Sequence, residues 1–154
     1  MKDKRVKYAK IPSEKREIKH SQSPEKFYDK APIWSFKKID QTHEKWGLDI
    51  HANAWKEIIK KLIDFERQET WSVILQAPNN KRRSNTKNHA ISIDSMIKEA
   101  QKRIIDLQLD EFDSFYSLHL TGTERLWGYI QEGIFYVIWY DQNHEICPSK
   151  KKHT

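Results

Sequence analysis

A chain of 154 residues with 37% hydrophobic side chains and a net charge of +6 holds apolar material for one core. A single cysteine, Cys147, excludes an intramolecular disulfide framework and fits a reducing compartment. No apolar run approaches the roughly 20 residues of a membrane span, and the charged amino terminus has no signal-peptide hydrophobic region, so a cytoplasmic protein with no membrane partner is expected.

Residues 1–30 carry ten Lys or Arg against five Asp or Glu, with large apolar side chains scattered singly. That composition is expected of a basic, flexible arm, leaving a single α+β domain over 31–154. After Pro32, Ile33 to Ile39 alternates as a strand, with Trp34 and Phe36 on one side. From Ala52 to Arg67, Trp55, Ile58, Ile59, Leu62 and either Phe65 or Ile63 recur at helical spacing. Thr70 to Gln76 fits a helical turn or a short strand, and Pro78 ends it. Residues 79–89, with Lys81, Arg82 and Arg83 in a row and no hydrophobic period, read as an exposed basic loop. Ser92 is placed as the cap of a second helix, whose stripe is Ile93, Met96, Ile97, Ala100, Ile104 and Leu107 and whose end lies near Asp110.

From Ser114 to Cys147, turn signals at Thr121-Gly122-Thr123 and Glu132-Gly133 divide a run of strands. The expected fold is a strand, two helices, then a three- to four-stranded antiparallel meander, with the helices packed on one sheet face. A basic tail, 148–154, follows. Alternation puts Leu118, Leu120, Leu126 and Ile130 under the helices and turns His119, Arg125, Trp127 and Tyr129 the other way. An open face with aromatic rings and an arginine suits stacking on unpaired bases and contact with phosphate. The plainer reading is that Trp127 and Tyr129 cover a second small core against the arm or a dimer partner.

Positive charge gathered in the arm, at Lys81, Arg82 and Arg83, and at Lys150, Lys151 and Lys152 favours a polyanionic partner. The expected RNA-binding residues are His119, Trp127, Tyr129, Lys81, Arg82, Arg83, Lys150 and Lys152. RNA cleavage without a metal needs a base, an acid and fixed cations. His119, His144 and His153 suit proton transfer, with Arg125 and the lysines 150–152 as cations. His144, Cys147 and His153 offer one thiol and no paired spacing, a weak zinc pattern, so no metal or other cofactor is expected. There is no phosphate-cradling Gly-rich loop and no G-x-S-x-G.

The element order, with Leu120 to Gly128 (LTGTERLWG) followed by Phe135 to Tyr140 (FYVIWY), resembles the RelE/ParE superfamily of bacterial toxins over about Ile33 to the carboxy terminus. The resemblance implies an mRNA-cleaving endoribonuclease acting on the ribosome and neutralised by a cognate acidic antitoxin. Arg125 matches that family's phosphate-binding arginine. His144, Lys151 and His153 fall where its last strand and tail bring catalytic residues. The alternative is a non-enzymatic module, binding RNA or inhibiting another protein through the aromatic and basic face. A third reading is a subunit whose arm is ordered by an acidic protein partner.

Overall fold

The computed structural model describes residues 26–75 and 88–148. Within them lie β1 (Ile33–Ser35), α1 (Ala52–Arg67), α2 (Trp71–Ile74), β2 (His89–Ser92), a 3-10 turn (Ile93–Ser95), α3 (Lys98–Asp106), β3 (Ser114–His119), β4 (Arg125–Gln131) and β5 (Ile134–Asp141). The chain is α+β, with one five-stranded sheet in the order β1-β5-β4-β3-β2. The sheet is mixed: β1 runs parallel to β5, and the other three neighbouring pairs are antiparallel. None of these helices is long and apolar enough to cross a membrane.

The turns between the last three strands follow from their letters. Glu132 and Gly133 both take positive φ, 56° and 83°, the geometry of a two-residue hairpin matched to strand twist. Gly122, at φ 52°, closes the β3–β4 turn, where the Glu124 amide donates to the Thr121 carbonyl at 2.8 Å.

Helices cover both faces of the sheet, which corrects the expectation that they share one. Ile58, Leu62 and Phe65 of α1, with Trp71 and Ile74 of α2, pack on Leu118, Leu120, Leu126, Ile130, Phe135, Val137 and Tyr140. On the other face, Met96, Ala100 and Ile104 from α3 and its approach join Trp46 over Phe115, Trp127, Tyr129, Ile138 and Trp139. The assignment of Leu118, Leu120, Leu126 and Ile130 to a helix-covered face therefore stands. Phe65 is buried and Ile63 exposed, which decides between the two as the helix's last core residue.

A bulge in β5 sets its side-chain parity. Pairing steps from Trp127↔Trp139 to Gly128↔Val137, so Ile138 is the extra residue. Ile138 and Trp139 both turn to the α3 side as a result, and Tyr140 returns to the α1 side. Strict alternation would have put Ile138 and Tyr140 together. Gly128 stands opposite the bulge, and a Cβ built there would lie 2.0 Å from the Tyr136 carbonyl oxygen.

The segment expected to be one long helix from Ser92 instead divides. His89 to Ser92 adds to the sheet edge beside β3, Ile91 opposite Phe115, and α3 begins only at Lys98. The stripe from Ile93 fits a helical period, but Ile91 gains burial against the α3-side core as a strand residue. The Ile97 amide is also taken up by the Ile146 carbonyl at 2.9 Å, which fixes the helix start.

Candidate functional site

Strand register assembles the site at the end of the sheet where β3 leaves and β4 returns. His119 stands opposite Arg125, and Arg125 stands opposite Asp141. Side chains directly across a strand pair share a face, so these three form one row. In the next row inward, His89 pairs with the buried Ser117, which pairs with Trp127 and so with Trp139. Phe115, Trp127 and Trp139 of this face belong to the α3-side core, and the polar row lies at its outer margin.

Each member of the row is held by the backbone around it. Nη1 of Arg125 donates to the carbonyls of Gly122 at 2.9 Å and Glu124 at 3.0 Å. Nε2 of His119 lies 3.2 Å from the Gly122 carbonyl. A carbonyl only accepts, so Nε2 carries the proton in this bond, and the neutral ring's lone pair is on Nδ1. Asn88 pins the neighbouring backbone, its Oδ1 accepting from the His119 amide at 2.8 Å and its Nδ2 donating to the Ile74 carbonyl at 3.2 Å.

His144 joins from the turn after β5. The carboxylate of Asp141, fully buried, accepts the amides of Glu145 at 3.0 Å and Ile146 at 2.9 Å. That Asx-type clasp and the burial of Ile146 fix the turn, with His144 at φ 56°, a conformation an ordinary side chain adopts at some cost. Burial pushes the His144 pKa below the ordinary histidine value, and the Arg125 cation pushes it the same way, Asp141 opposing and His89 adding a smaller push down. Burial likewise lowers the Arg125 pKa, against the pull of Asp141. The imidazole of His144 is thereby kept neutral near neutral pH beside a fixed positive charge, the state a general base requires.

Of the residues expected to act, the structure sets His119 opposite Arg125 and brings His144 within electrostatic reach of Arg125. Trp127 and Tyr129 are not with them. Trp127 has no exposed surface and Tyr129 retains 5%. Tyr129 is stacked between Phe112 at 4.2 Å and Tyr136 at 4.9 Å. The reason is α3, which crosses to this face and covers it, so the rings form a second core and offer no base-stacking platform. Lys81, Arg82, Arg83, Lys150, Lys151, Lys152 and His153 lie outside the described residues, as does most of the basic arm.

Sequence reasoning missed His89 and Asn88 by assigning them to the loop. The available signal was the alternation of His89 with Ile91, which places both on the α3 side once the segment is a strand. Among the described residues no group of three or more His, Cys, Asp and Glu side chains is arranged as metal ligands would be. Cys147 donates from Sγ to the Ser95 carbonyl at 3.4 Å, and burial pushes its thiol pKa up, away from nucleophilic use.

Compared with protein-family models, with characterised proteins and with solved structures, the chain matches none.

Proposed function

We propose that the protein is a RelE-like toxin, a metal-independent endoribonuclease that cleaves mRNA on the ribosome and is held in check by an acidic antitoxin. The observation that carries the reading is the pairing of His119 with Arg125 across the β3–β4 turn, with His144 in the turn after β5 close enough to the half-buried Arg125 cation for its pKa to be pushed down. His144 takes the proton of the ribose 2′-hydroxyl as that oxygen bonds to the adjacent phosphorus. The bond from phosphorus to the 5′-oxygen breaks, and His119 in its protonated form gives that oxygen a proton. Arg125 offsets the negative charge that gathers on the phosphate. The products are a 2′,3′-cyclic phosphate and a 5′-hydroxyl.

Connectivity supports an RNA path over this margin. The chain leaves the described residues at Leu75 and re-enters at Asn88, whose side chain bonds both the Ile74 carbonyl and the His119 amide. Both feet of the segment bearing Lys81, Arg82 and Arg83 are thus anchored beside the site. The non-enzymatic alternative, binding RNA or another protein through the aromatic and basic face, keeps only the basic part of that face, because Trp127 and Tyr129 are core residues while His119 and Arg125 are half-buried. The test is mRNA integrity on incubation with the purified protein, alone and with translating ribosomes. Cleavage abolished by Arg125→Ala supports the reading, and intact mRNA in both settings removes it.

A further inference from the structure

A recess beside the candidate site opens on the opposite face of the same hairpin. It is an open cavity of about 350 Å³ between the start of α1, the loop before it and the ends of β4 and β5, lined among others by Asp49, His51, Asn53, Glu124, Tyr140 and Gln142. Glu124 adjoins Arg125, and Tyr140 adjoins Asp141, so the two strands that supply the catalytic row turn their alternate side chains into this cavity. The Tyr140 hydroxyl donates to Oε1 of Glu124, and its ring, 5% exposed, belongs to the α1-side core. The burial of Tyr140 and its bond to the carboxylate push its pKa upward, so the hydroxyl stays a donor and holds Glu124 in place.

The charge of the lining selects against phosphate. Asp49, Glu57 and Glu124 face it, and the one lysine, Lys45, is paired with Glu99 at 2.8 Å. An ionised carboxylate has about four acceptor sites, of which Tyr140 takes one. The acceptor sites left on Glu124 suit a group presenting adjacent N–H donors. Among the ordinary nucleobases guanine alone offers two on one edge, at N1 and the exocyclic N2.

We infer that this cavity is a guanine-binding subsite, in which Glu124 accepts from N1 and N2 of a base turned out of the strand while its phosphate lies across the hairpin rim at Arg125. Unstacked bases are read in this way, by hydrogen bonds to the Watson–Crick edge in a shaped pocket. The assignment rests on the nuclease reading for its substrate, but its test does not depend on cleavage.

The full chain, labelled with ¹⁵N, is titrated separately with guanosine, inosine, 1-methylguanosine, adenosine and N-acetylarginine amide, following amide shifts around Glu124, Tyr140 and Asn53. Guanosine should bind with shifts confined to that lining. Inosine, which lacks N2, and 1-methylguanosine, which lacks the N1 proton, should each bind about tenfold or more weakly, because a carboxylate built to accept is left short of a donor. Glu124→Gln should weaken guanosine by a similar factor, and the two modified nucleosides keep the test valid should that variant fold poorly. Equal binding of all the nucleosides, or no binding, overturns the assignment. So does binding of the arginine amide in place of guanosine, which makes the cavity a site for a basic peptide. Guanosine binding without mRNA cleavage upholds the subsite and removes the nuclease reading, and cleavage without nucleoside preference does the reverse.

Discussion

Asp40 and Arg103 form a two-pronged ion pair, Nε to Oδ2 at 2.8 Å and Nη2 to Oδ1 at 2.6 Å, that ties α3 to the loop following β1. Asp40 is 1% exposed and also accepts the indole N–H of Trp139 at 2.9 Å, so loop, helix and sheet meet at one carboxylate. Its amide donates to the carbonyl of the bulged residue, Ile138, at 3.0 Å. The pair thus fixes the element that covers Trp127 and Tyr129.

Removing either partner should cost stability out of proportion to a surface ion pair. Arg103→Ala strands a buried carboxylate, and a loss of about 3–5 kcal/mol in urea unfolding is expected. Burial on its own raises the Asp40 pKa, but the hydrogen bonds from Arg103, Trp139 and the Thr42 amide, with the charge of Arg103, bring it from 3.8 down to about 2. A carboxylate with a depressed folded-state value stabilises the fold above its unfolded value, and that contribution is lost as pH falls from about 4 toward 2. Urea midpoints measured across that window should fall for the wild type and fall less for Asp40→Asn. Parallel slopes for the two would count against the pair.

Gly128→Ala should unfold the protein or cost about 3–5 kcal/mol, because the Tyr136 carbonyl occupies the place of the added carbon. Circular dichroism melting is the measurement. A variant melting within a degree or two of wild type would mean that the bulge can shift.

Trp127→Ala and His119→Ala should separate core from site. The first removes a fully buried ring from the α3-side core and should cost about 3–5 kcal/mol. The second alters a half-buried residue at the sheet margin, so its melting temperature should stay near that of wild type while mRNA cleavage falls about a hundredfold or more. Equal loss of stability in both would place His119 in the framework.

The acid limb of the cleavage rate should lie below the ordinary histidine value of about 6.5, since burial and Arg125 both disfavour the charged form of His144. A base works when neutral, so activity should rise with pH through that limb and then level. Arg125→Gln removes the larger of the two electrostatic pushes downward, leaving burial and the smaller push from His89, and should move the residual limb to higher pH. A limb unchanged in that variant would deny any coupling between the two residues.

Asn88→Ala removes both bonds that hold the end of β3 against α2. A modest stability loss of about 1–2 kcal/mol is expected. The informative readout is the rate: kcat should fall more than KM changes, and Asn88→Asp, which keeps the acceptor for the His119 amide, should recover part of it.

The last three strands and both their turns were readable from letters, because Thr121-Gly122-Thr123 and Glu132-Gly133 have few other conformations and the strands between them alternate. Alternation also sorted Leu118, Leu120, Leu126 and Ile130 correctly from Trp127 and Tyr129. It tells which side chains share a face, however, and not whether another element covers that face. Whether α3 packs beside α1 or beneath the sheet turns on where His89 to Ser92 joins, a long-range pairing with β3 that no local period announces. Nor does any letter mark Ile138 as the extra residue in β5. At the site, Arg125 and His119 were legible from register across the β3–β4 turn, whereas His144 needed the Asp141 clasp to gain a neighbourhood.

The parallel pairing of β1 with β5 joins strands about a hundred residues apart, Ile33 beside Ile134. A nascent chain therefore cannot close its sheet until its last strand has cleared the exit tunnel, and the row of Arg125 and Asp141 comes into being only at that late moment.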